Sequence, residues 1–269
     1  MNARRAIATG HIAAAFLLAA VACASEPVPG PSNRSGSERA PTSLSHELLD
    51  TVLSRHVKDG LVDYPALAQD QDFTAYLAAL ARIDPDLLSP REEQLAFWIN
   101  AYNSSVLKGV VDHYPIKSVA DVGLLGKWSF FKGLKFDVGG RSRTLDQIEH
   151  GIIRPDFHDP RTHFALVCAS GGCPKLRSAA FHAEHLDAEL ERAAVDFVND
   201  SAKVRLDRER GVLYVSSIFK WYEADFTKAS GSVRAFIGKY LEQDLPAGAR
   251  LEYLDYSWAL NDLTHPPQS

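Results

Sequence analysis

The spacing of hydrophobic residues changes several times between the helical and the strand period along this chain. Apolar residues that recur every three or four positions predict helices. Such spacing is found over residues 44–57, 73–84, 90–113, 182–198, 217–226 and 233–241. The third segment is the longest, and Pro90 at its first position, followed by acidic residues, is typical of the start of a helix.

Strand-like stretches lie between these helices. Residues 133–144 predict a hairpin around Gly139 and Gly140, and Val204–Asp207 with Val212–Val215 predict a second one. The apolar run over 163–168 is typical of a buried central strand. Because helices and hairpins are mixed without a repeating strand–helix–strand unit, we expect a single α+β domain. Its helices would pack on a mainly antiparallel sheet.

The N-terminus has the features of a secretory signal peptide. Arg4 and Arg5 precede an apolar run over residues 12–21, which ends in small residues before Cys23. The run is too short to remain as a membrane anchor. Two processing routes are open, namely cleavage after Ala22 and lipidation of Cys23 at an imperfect lipobox.

The residues after this leader read as a tether. Residues 24–43 are rich in proline, serine and glycine and poor in large apolar groups, so we expect them to be disordered. The predicted organisation is a signal peptide over 1–22, a tether with the candidate lipid anchor over 23–43, and one domain over 44–269. This organisation predicts export to the periplasm, or to the outer membrane as a lipoprotein.

The charge of the chain limits its partners. The formal net charge is −5 at pH 7, whereas binding to nucleic acid needs a concentrated basic surface. Nucleic acid is therefore excluded as a partner. The acidic balance also gives no reason to expect docking on anionic lipid headgroups, so we expect contact with a membrane only through a lipid anchor.

Several phrases of the sequence occur in a characteristic order. They are AFWINAYN at 96–103, TLDQIEHG at 144–151, DPRTHFAL at 159–166, CPKL at 173–176, and SIFKWY at 217–222 followed by Asp225-Phe226. Together they resemble the domain-of-unknown-function 547 family over nearly the whole domain. The resemblance implies a domain found in bacterial envelope proteins and fused to other modules in plants. It implies no mechanism.

Two cysteines follow the apolar run at 163–168. Cys168 and Cys173 are close enough in sequence to form a disulfide in an oxidising compartment. Alternatively, Cys173 is a reactive thiol, because Pro174 after it is typical of the start of a helical turn. Backbone N–H groups at such a turn, together with Lys175 and Arg177, would favour the thiolate.

A thiol nucleophile needs a base. The candidates are His150, with Glu149 beside it, and His163. Five strand residues would separate His163 from the strand end by roughly 16 Å, so Cys173 reaches it only if the loop folds back. Asn103 or Glu149 would orient the base. The structural alternatives are a histidine bonded in the core, a histidine at a helix end, and an asparagine that satisfies buried backbone.

Asn100, Trp221 and Tyr222 are the candidate ligand-binding residues, with core packing as the alternative for the aromatic pair. No metal site is predicted, because His182 and His185 lack the spacing of a helical zinc motif. No cofactor is indicated.

Two functions from different classes remain. The first is a cysteine-dependent hydrolase or acyltransferase that acts on peptide, amide or cell-wall-type substrates, on a fold loosely like papain or transglutaminase. The second is a non-catalytic domain of the cell envelope that binds a ligand or a protein. The state of Cys173 distinguishes them, because a nucleophile must be available as a thiolate.

Overall fold

The long helix at the centre of the chain organises the fold. The computed structural model describes residues 43–266, and in it every residue from Leu95 to Leu107 is buried. A helix that is buried on all sides must be surrounded by other elements. This helix, Arg91–His113, begins one residue later than the sequence predicts, because Pro90 is its N-cap.

The helices of the described region are α1 Glu47–His56, α2 Tyr64–Leu67, α3 Gln71–Arg82, α4 Arg91–His113, α5 Leu145–Ile148, α6 Arg154–Phe157, α7 Leu186–Asn199, α8 Ile218–Trp221, α9 Glu223–Ser230 and α10 Val233–Tyr240. The strands are β1 Val57–Lys58, β2 Leu61–Val62, β3 Phe136–Val138, β4 Arg141–Arg143, β5 Val204–Asp207, β6 Val212–Val215 and β7 Arg250–Tyr253. The predicted helix over 217–226 is interrupted at Tyr222, which separates α8 from α9.

The strands form small sheets. The two predicted hairpins are confirmed as β3–β4 and β5–β6, both antiparallel. The sequence did not predict β7, which pairs in parallel with β6 and makes the widest sheet of the described region, with three strands. The single α+β domain is confirmed. These small sheets do not confirm a papain-like or transglutaminase-like architecture.

The predicted central strand over 163–168 is wrong. Pro160–Phe164 form a 3-10 turn, and irregular backbone follows it. The Asn103 side chain of α4 provides the reason, because its Nδ2 donates to the carbonyl of Ala165 (2.9 Å) and its Oδ1 accepts from the N–H of Val167 (3.0 Å). A side chain thus satisfies backbone groups that a neighbouring strand would otherwise pair.

Two hydrophobic cores meet at this segment. The larger core surrounds α4 and includes Ala165 and Val167. The second core lies among α7, α9, α10 and the β5–β6 hairpin, and it includes Phe164, whose ring stacks on Phe197 at 4.7 Å. The segment that follows Pro160 therefore joins both cores.

Part of the predicted organisation lies outside the described residues. The signal peptide over 1–22, most of the tether over 23–43 and the lipidation site Cys23 belong to this part. Within residues 43–266, none of the helices combines the length and the apolar character that crossing a bilayer requires.

Candidate functional site

A cavity of about 370 Å³ opens where the two cores meet. Its wall combines aromatic rings with sulfur atoms and a few ionisable groups. Its lining residues include Tyr102, Lys127, Trp128, Glu149, His150, Arg154, His163, Cys168, Cys173, Trp221, Tyr222, Tyr256 and Trp258. A cavity of this volume is at the lower end of the range for small-molecule sites.

His163 forms the buried part of this wall, with only 2% of its side chain exposed. Its Nε2 lies 2.8 Å from Oδ2 of Asp225 on α9. Arg154 donates to both oxygens of the same carboxylate, at 2.8 and 3.1 Å. The hydrogen bond from His163, together with Arg154, holds the pKa of Asp225 well below its usual range, although burial opposes this. An ionised carboxylate only accepts hydrogen bonds, so Nε2 of His163 carries a proton. When the imidazole is neutral, its other nitrogen, Nδ1, therefore has no proton.

Tyr222 fixes the plane of the histidine ring. The two rings are stacked with their centroids 3.8 Å apart. The hydroxyl of Tyr222 donates to Oε1 of Glu149 at 2.5 Å, and the hydroxyl of Tyr102 donates to Oε2 at 3.1 Å. Burial, and then the charge of Glu149, raises the pKa of Tyr222, which therefore remains a donor. Glu149 thus positions Tyr222 and, through it, His163.

Cys168 and Cys173 form a disulfide at the cavity wall, with their Cα atoms 6.1 Å apart. Donors surround the sulfur atoms. The N–H of Cys168 donates to Sγ of Cys173 at 2.8 Å, and the hydroxyl of Tyr256 lies 2.9 Å from Sγ of Cys168 and 3.2 Å from Sγ of Cys173. Groups of this kind stabilise a thiolate when the disulfide is reduced.

The loop that carries the cysteines folds back toward the cavity. The N–H groups of Gly171 and Gly172 donate to the carbonyls of Ala259 (2.8 Å) and Ser257 (2.9 Å). A Cβ on Gly172 would lie 2.7 Å from the ring of Tyr256. Glycine at this position therefore allows the tyrosine to approach the two sulfur atoms.

The residues after Cys173 differ from the prediction. No helical turn follows Pro174, so backbone at a helix start does not surround the sulfur atom. Lys175 and Arg177 line a separate cavity of about 690 Å³, where Lys175 lies 3.7 Å from Asp200 and Arg177 lies 2.8 Å from Glu189. The donors near Cys173 come instead from the cysteine loop and from Tyr256.

His150 lies at the mouth of the same cavity, with 39% of its side chain exposed. Its Nδ1 accepts a hydrogen bond from Arg154 at 3.0 Å. The structure therefore gives the buried position beside a carboxylate to His163 and an exposed position to His150.

Asn100 and Asn103 bind backbone rather than the cavity. Asn100 exchanges two hydrogen bonds with the backbone of Phe181, at 2.8 Å through Nδ2 and 2.9 Å through Oδ1. Asn103 binds Ala165 and Val167 in the same way. Neither asparagine is among the residues that line the cavity. Both hold the segments on either side of the cysteine loop against α4.

The match to a known protein family includes part of the cavity wall. Residues 85–198 match the family described as "Protein of unknown function, DUF547". This segment of the chain is similar to the DUF547 family. No curated protein and no solved structure was found to match it. The matched range contains α4, His163 and both cysteines, whereas Asp225 and Tyr256 follow it in sequence.

Aromatic rings form the rim of the cavity. Trp221 is 47% exposed, and its ring lies 4.7 Å from Tyr256 and 6.0 Å from Trp258. The ammonium of Lys127 lies 4.4 Å from the centre of the Trp258 ring. Trp221 and Tyr222, both predicted to bind ligand, thus lie at the cavity. Phe219 and Phe226, which are close to them in sequence, are buried in the second core.

Sequence reasoning did not select the partners of His163 and of the cysteines. Asp225 belongs to one of the sequence phrases that resemble the family, but nothing in its local pattern relates it to a histidine 62 positions away. Arg154 and Tyr256 stand in no motif at all. Within the described residues, no group of three His, Cys, Asp or Glu side chains is placed to hold a metal ion.

Proposed function

We propose that this cavity is the active site of a cysteine-dependent hydrolase or acyltransferase, with Cys173 as nucleophile and His163 as base. One observation carries the proposal: a buried histidine, held through Nε2 by an ionised aspartate, lines the same cavity as a pair of sulfur atoms surrounded by donors. The arrangement supplies a nucleophile, a base and a group that orients the base.

The two cysteines must first be reduced. A dithiol, or two monothiols, would supply two electrons and two protons and leave a thiol on each sulfur. The thiol of Cys173 would then transfer its proton to Nδ1 of His163. Asp225 keeps the imidazole in the required tautomer and stabilises the imidazolium that forms. The N–H of Cys168 and the hydroxyl of Tyr256 would stabilise the thiolate.

The thiolate would attack the carbonyl carbon of an amide or ester. The imidazolium returns its proton to the leaving amine or alcohol, and an acyl group remains on Sγ as a thioester. Attack by water, with His163 again as the base, completes hydrolysis, and attack by a second amine or hydroxyl completes acyl transfer. The aromatic wall favours acyl groups with apolar or ring-bearing side chains.

The substrates that we propose are peptides, amides or cell-wall fragments met in the bacterial envelope. Export and lipidation belong to this proposal, because they depend on the leader and on Cys23. Replacement of Cys23 by alanine should move the protein from the membrane fraction to the soluble envelope fraction. A wild-type protein that already fractionates as soluble would contradict the lipid anchor.

A ligand-binding or protein-binding domain is the second candidate. The observation that favours it is the disulfide itself, because a sulfur atom in a disulfide has no thiolate to offer. Trp221, Tyr256 and Trp258 would then form a binding rim for a ligand.

Alkylation of the folded protein separates the two functions. The protein is reduced with dithiothreitol without denaturant, treated with iodoacetamide from about pH 5 to about pH 9, and mapped by mass spectrometry. The enzyme proposal expects Cys173 to be labelled with a midpoint below the usual thiol pKa of about 8.5. His163→Gln should move this midpoint upward, and the matched control His150→Gln should leave it in place.

Two outcomes would contradict the proposed enzyme mechanism. Cys173 that is labelled only after denaturation cannot be a nucleophile, and the binding domain would be the better account. An equal midpoint for His163→Gln and His150→Gln would remove His163 from the role of base.

A further inference from the structure

A short loop beside the cavity presents large apolar side chains to the surface. Leu124 is fully exposed, Leu125 is 74% exposed and Trp128 is 56% exposed. Every other large hydrophobic side chain in residues 43–266 is less than half exposed. Contiguous exposed apolar groups of this kind mark a surface that contacts another phase or molecule.

Hydrogen bonds hold the loop in this conformation. Gly123 and Gly126 adopt positive φ angles of +68° and +59°, which favour glycine. The hydroxyl of Ser129 accepts from the N–H of Leu125 at 3.1 Å, and the N–H of Ser129 donates to the carbonyl of Gly126 at 2.9 Å. The exposure of the two leucines therefore belongs to a defined turn.

The charge around the loop is opposite to that of the whole chain. The chain has a formal net charge of −5, yet residues 117–135 contain a single acid, Asp121. The same stretch carries four exposed lysines, which are Lys117, Lys127, Lys132 and Lys135. Asp121 is already occupied, because its carboxylate accepts the N–H groups of Lys117 and Ser118. Lys132 lies 4.6 Å from the centre of the Trp128 ring and also pairs with Asp146 at 3.2 Å. The stretch that carries the apolar tip is therefore basic, with Lys117, Lys127 and Lys135 in no ion pair with a described residue.

We propose that this loop inserts Leu124 and Leu125 into the surface of an anionic bilayer, with Trp128 at the level of the headgroups. Lysines around an apolar tip match anionic headgroups, and tryptophan favours the boundary between headgroups and acyl chains. A protein partner fits less well, because a stable protein interface buries about 800 Å² on each partner and this tip is small.

Docking of this kind would turn the cavity toward the membrane, because Lys127 and Trp128 also line its mouth. The proposal departs from the expectation from net charge, which allowed membrane contact only through a lipid anchor, because the lysines are concentrated in one stretch. The inference is independent of the proposed catalytic function, since it concerns the loop and not the cysteines.

The test is co-sedimentation of the full chain with large vesicles of phosphatidylcholine and phosphatidylglycerol, compared with vesicles of phosphatidylcholine alone. The double variant Leu124→Ser/Leu125→Ser should bind the anionic vesicles at least about tenfold more weakly than the wild type. The matched control is Leu87→Ser, which changes a leucine that is 48% exposed outside this loop. Binding through the N-terminal apolar run is common to all three proteins, so the ratio between them reports the loop.

The role of the lysines is measured in the same assay. Lys127→Gln should weaken binding to the anionic vesicles and leave binding to phosphatidylcholine alone unchanged. Equal partition of the wild type and the double variant would overturn the proposal, as would equal binding of the wild type to both vesicle types. Circular dichroism of each variant confirms that the fold is retained, and cysteine alkylation reports the catalytic proposal separately.

Discussion

The interior around α4 and the wall of the cavity contain the same kinds of polar residue and use them differently. In the interior, both polar atoms of the Asn103 amide, Nδ2 and Oδ1, bind backbone. Buried His46 contacts the hydroxyl of Tyr76 at 2.8 Å. Burial lowers the pKa of His46 to about 4 and keeps its ring neutral. In the cavity wall, His163 is equally buried, but it is paired with the ionised Asp225 and borders open space.

The difference shows how a structural polar group can be told from a candidate functional one. A buried side chain is structural when its hydrogen-bonding groups are used by the fold, as for Asn103, or are enclosed in the core away from any cavity, as for Nε2 of His46. Glu149 belongs to this class although it lines the cavity, because tyrosine hydroxyls occupy both of its oxygens. His163 and the cysteines differ, because a ring nitrogen and the sulfur atoms remain beside the cavity.

Replacement of Asn103 by leucine should have the largest effect on the stability of the interior. The carbonyl of Ala165 and the N–H of Val167 would both lose their partner, at a cost of about 1–3 kcal/mol for each buried group. We expect the free energy of unfolding in urea to fall accordingly.

The matched control is Ser104→Ala on the same helix. The hydroxyl of Ser104 is buried and hydrogen-bonds to none of the described residues, so its removal should cost little. Equal destabilisation by the two substitutions would mean that the hydrogen bonds of Asn103 do not hold the segment in place.

The acid sensitivity of the interior should depend on His46. Its pKa is about 4 in the folded protein and 6.5 in an exposed histidine. As the pH falls between these values, the unfolded chain takes up a proton that the folded chain does not. The free energy of unfolding should therefore fall by about 3 kcal/mol over this window. His46→Gln removes the proton uptake and should flatten this part of the profile.

The control for that experiment is His185→Gln, which changes an exposed histidine. Its profile should follow the wild type. A wild-type stability that does not change between about pH 6.5 and about pH 4, relative to His46→Gln, would show that His46 is protonated in the folded protein.

Asp225 in the cavity wall differs from His46 because its charged form is the one that the folded protein stabilises. Because its folded pKa lies below the usual carboxyl value of 3.8, its contribution to stability is present at neutral pH and is lost as the pH falls below that value. The difference in unfolding free energy between the wild type and Asp225→Asn should be largest at neutral pH and should shrink in acid.

Asp137→Asn serves as the control, because Asp137 is exposed and forms no ion pair with any described residue. A difference between the wild type and Asp225→Asn that stays constant with pH would mean that Asp225 is not held as a carboxylate by His163 and Arg154.

The smallest expected effect concerns Tyr256. Its hydroxyl contacts both sulfur atoms, and burial raises the pKa of Tyr256, so the group remains a donor. If the hydrogen bond to the thiolate sulfur is worth about 0.5–1.5 kcal/mol, Tyr256→Phe should slow alkylation of reduced Cys173 near neutral pH by about twofold to tenfold. Tyr253→Phe, outside the cavity, should not change this rate. Equal rates for both variants would mean that the hydroxyl does not stabilise the thiolate.

Local elements were largely predictable. The helical spacing led to α1, α3, α4, α7 and α10 with small shifts at their ends, and glycine-containing turns marked both hairpins. Local prediction failed for residues 163–168, because a short apolar run has the composition of a buried strand and only its neighbours decide the outcome. Here the neighbour is Asn103, which satisfies the backbone from a helix.

The sequence by itself determined the α+β class, the hairpins, the long central helix, the resemblance to a family, and the set of residues from which a site could be built. Only the tertiary structure decided which of them meet. Asp225 lies 62 positions from His163, and Tyr256 lies 88 positions from Cys168. Periodicity and turn chemistry act over a few residues, whereas these contacts depend on how two cores pack around one segment. For that reason the sequence favoured His150 over His163 as the base, whereas the packing buried His163 against a carboxylate and left His150 exposed.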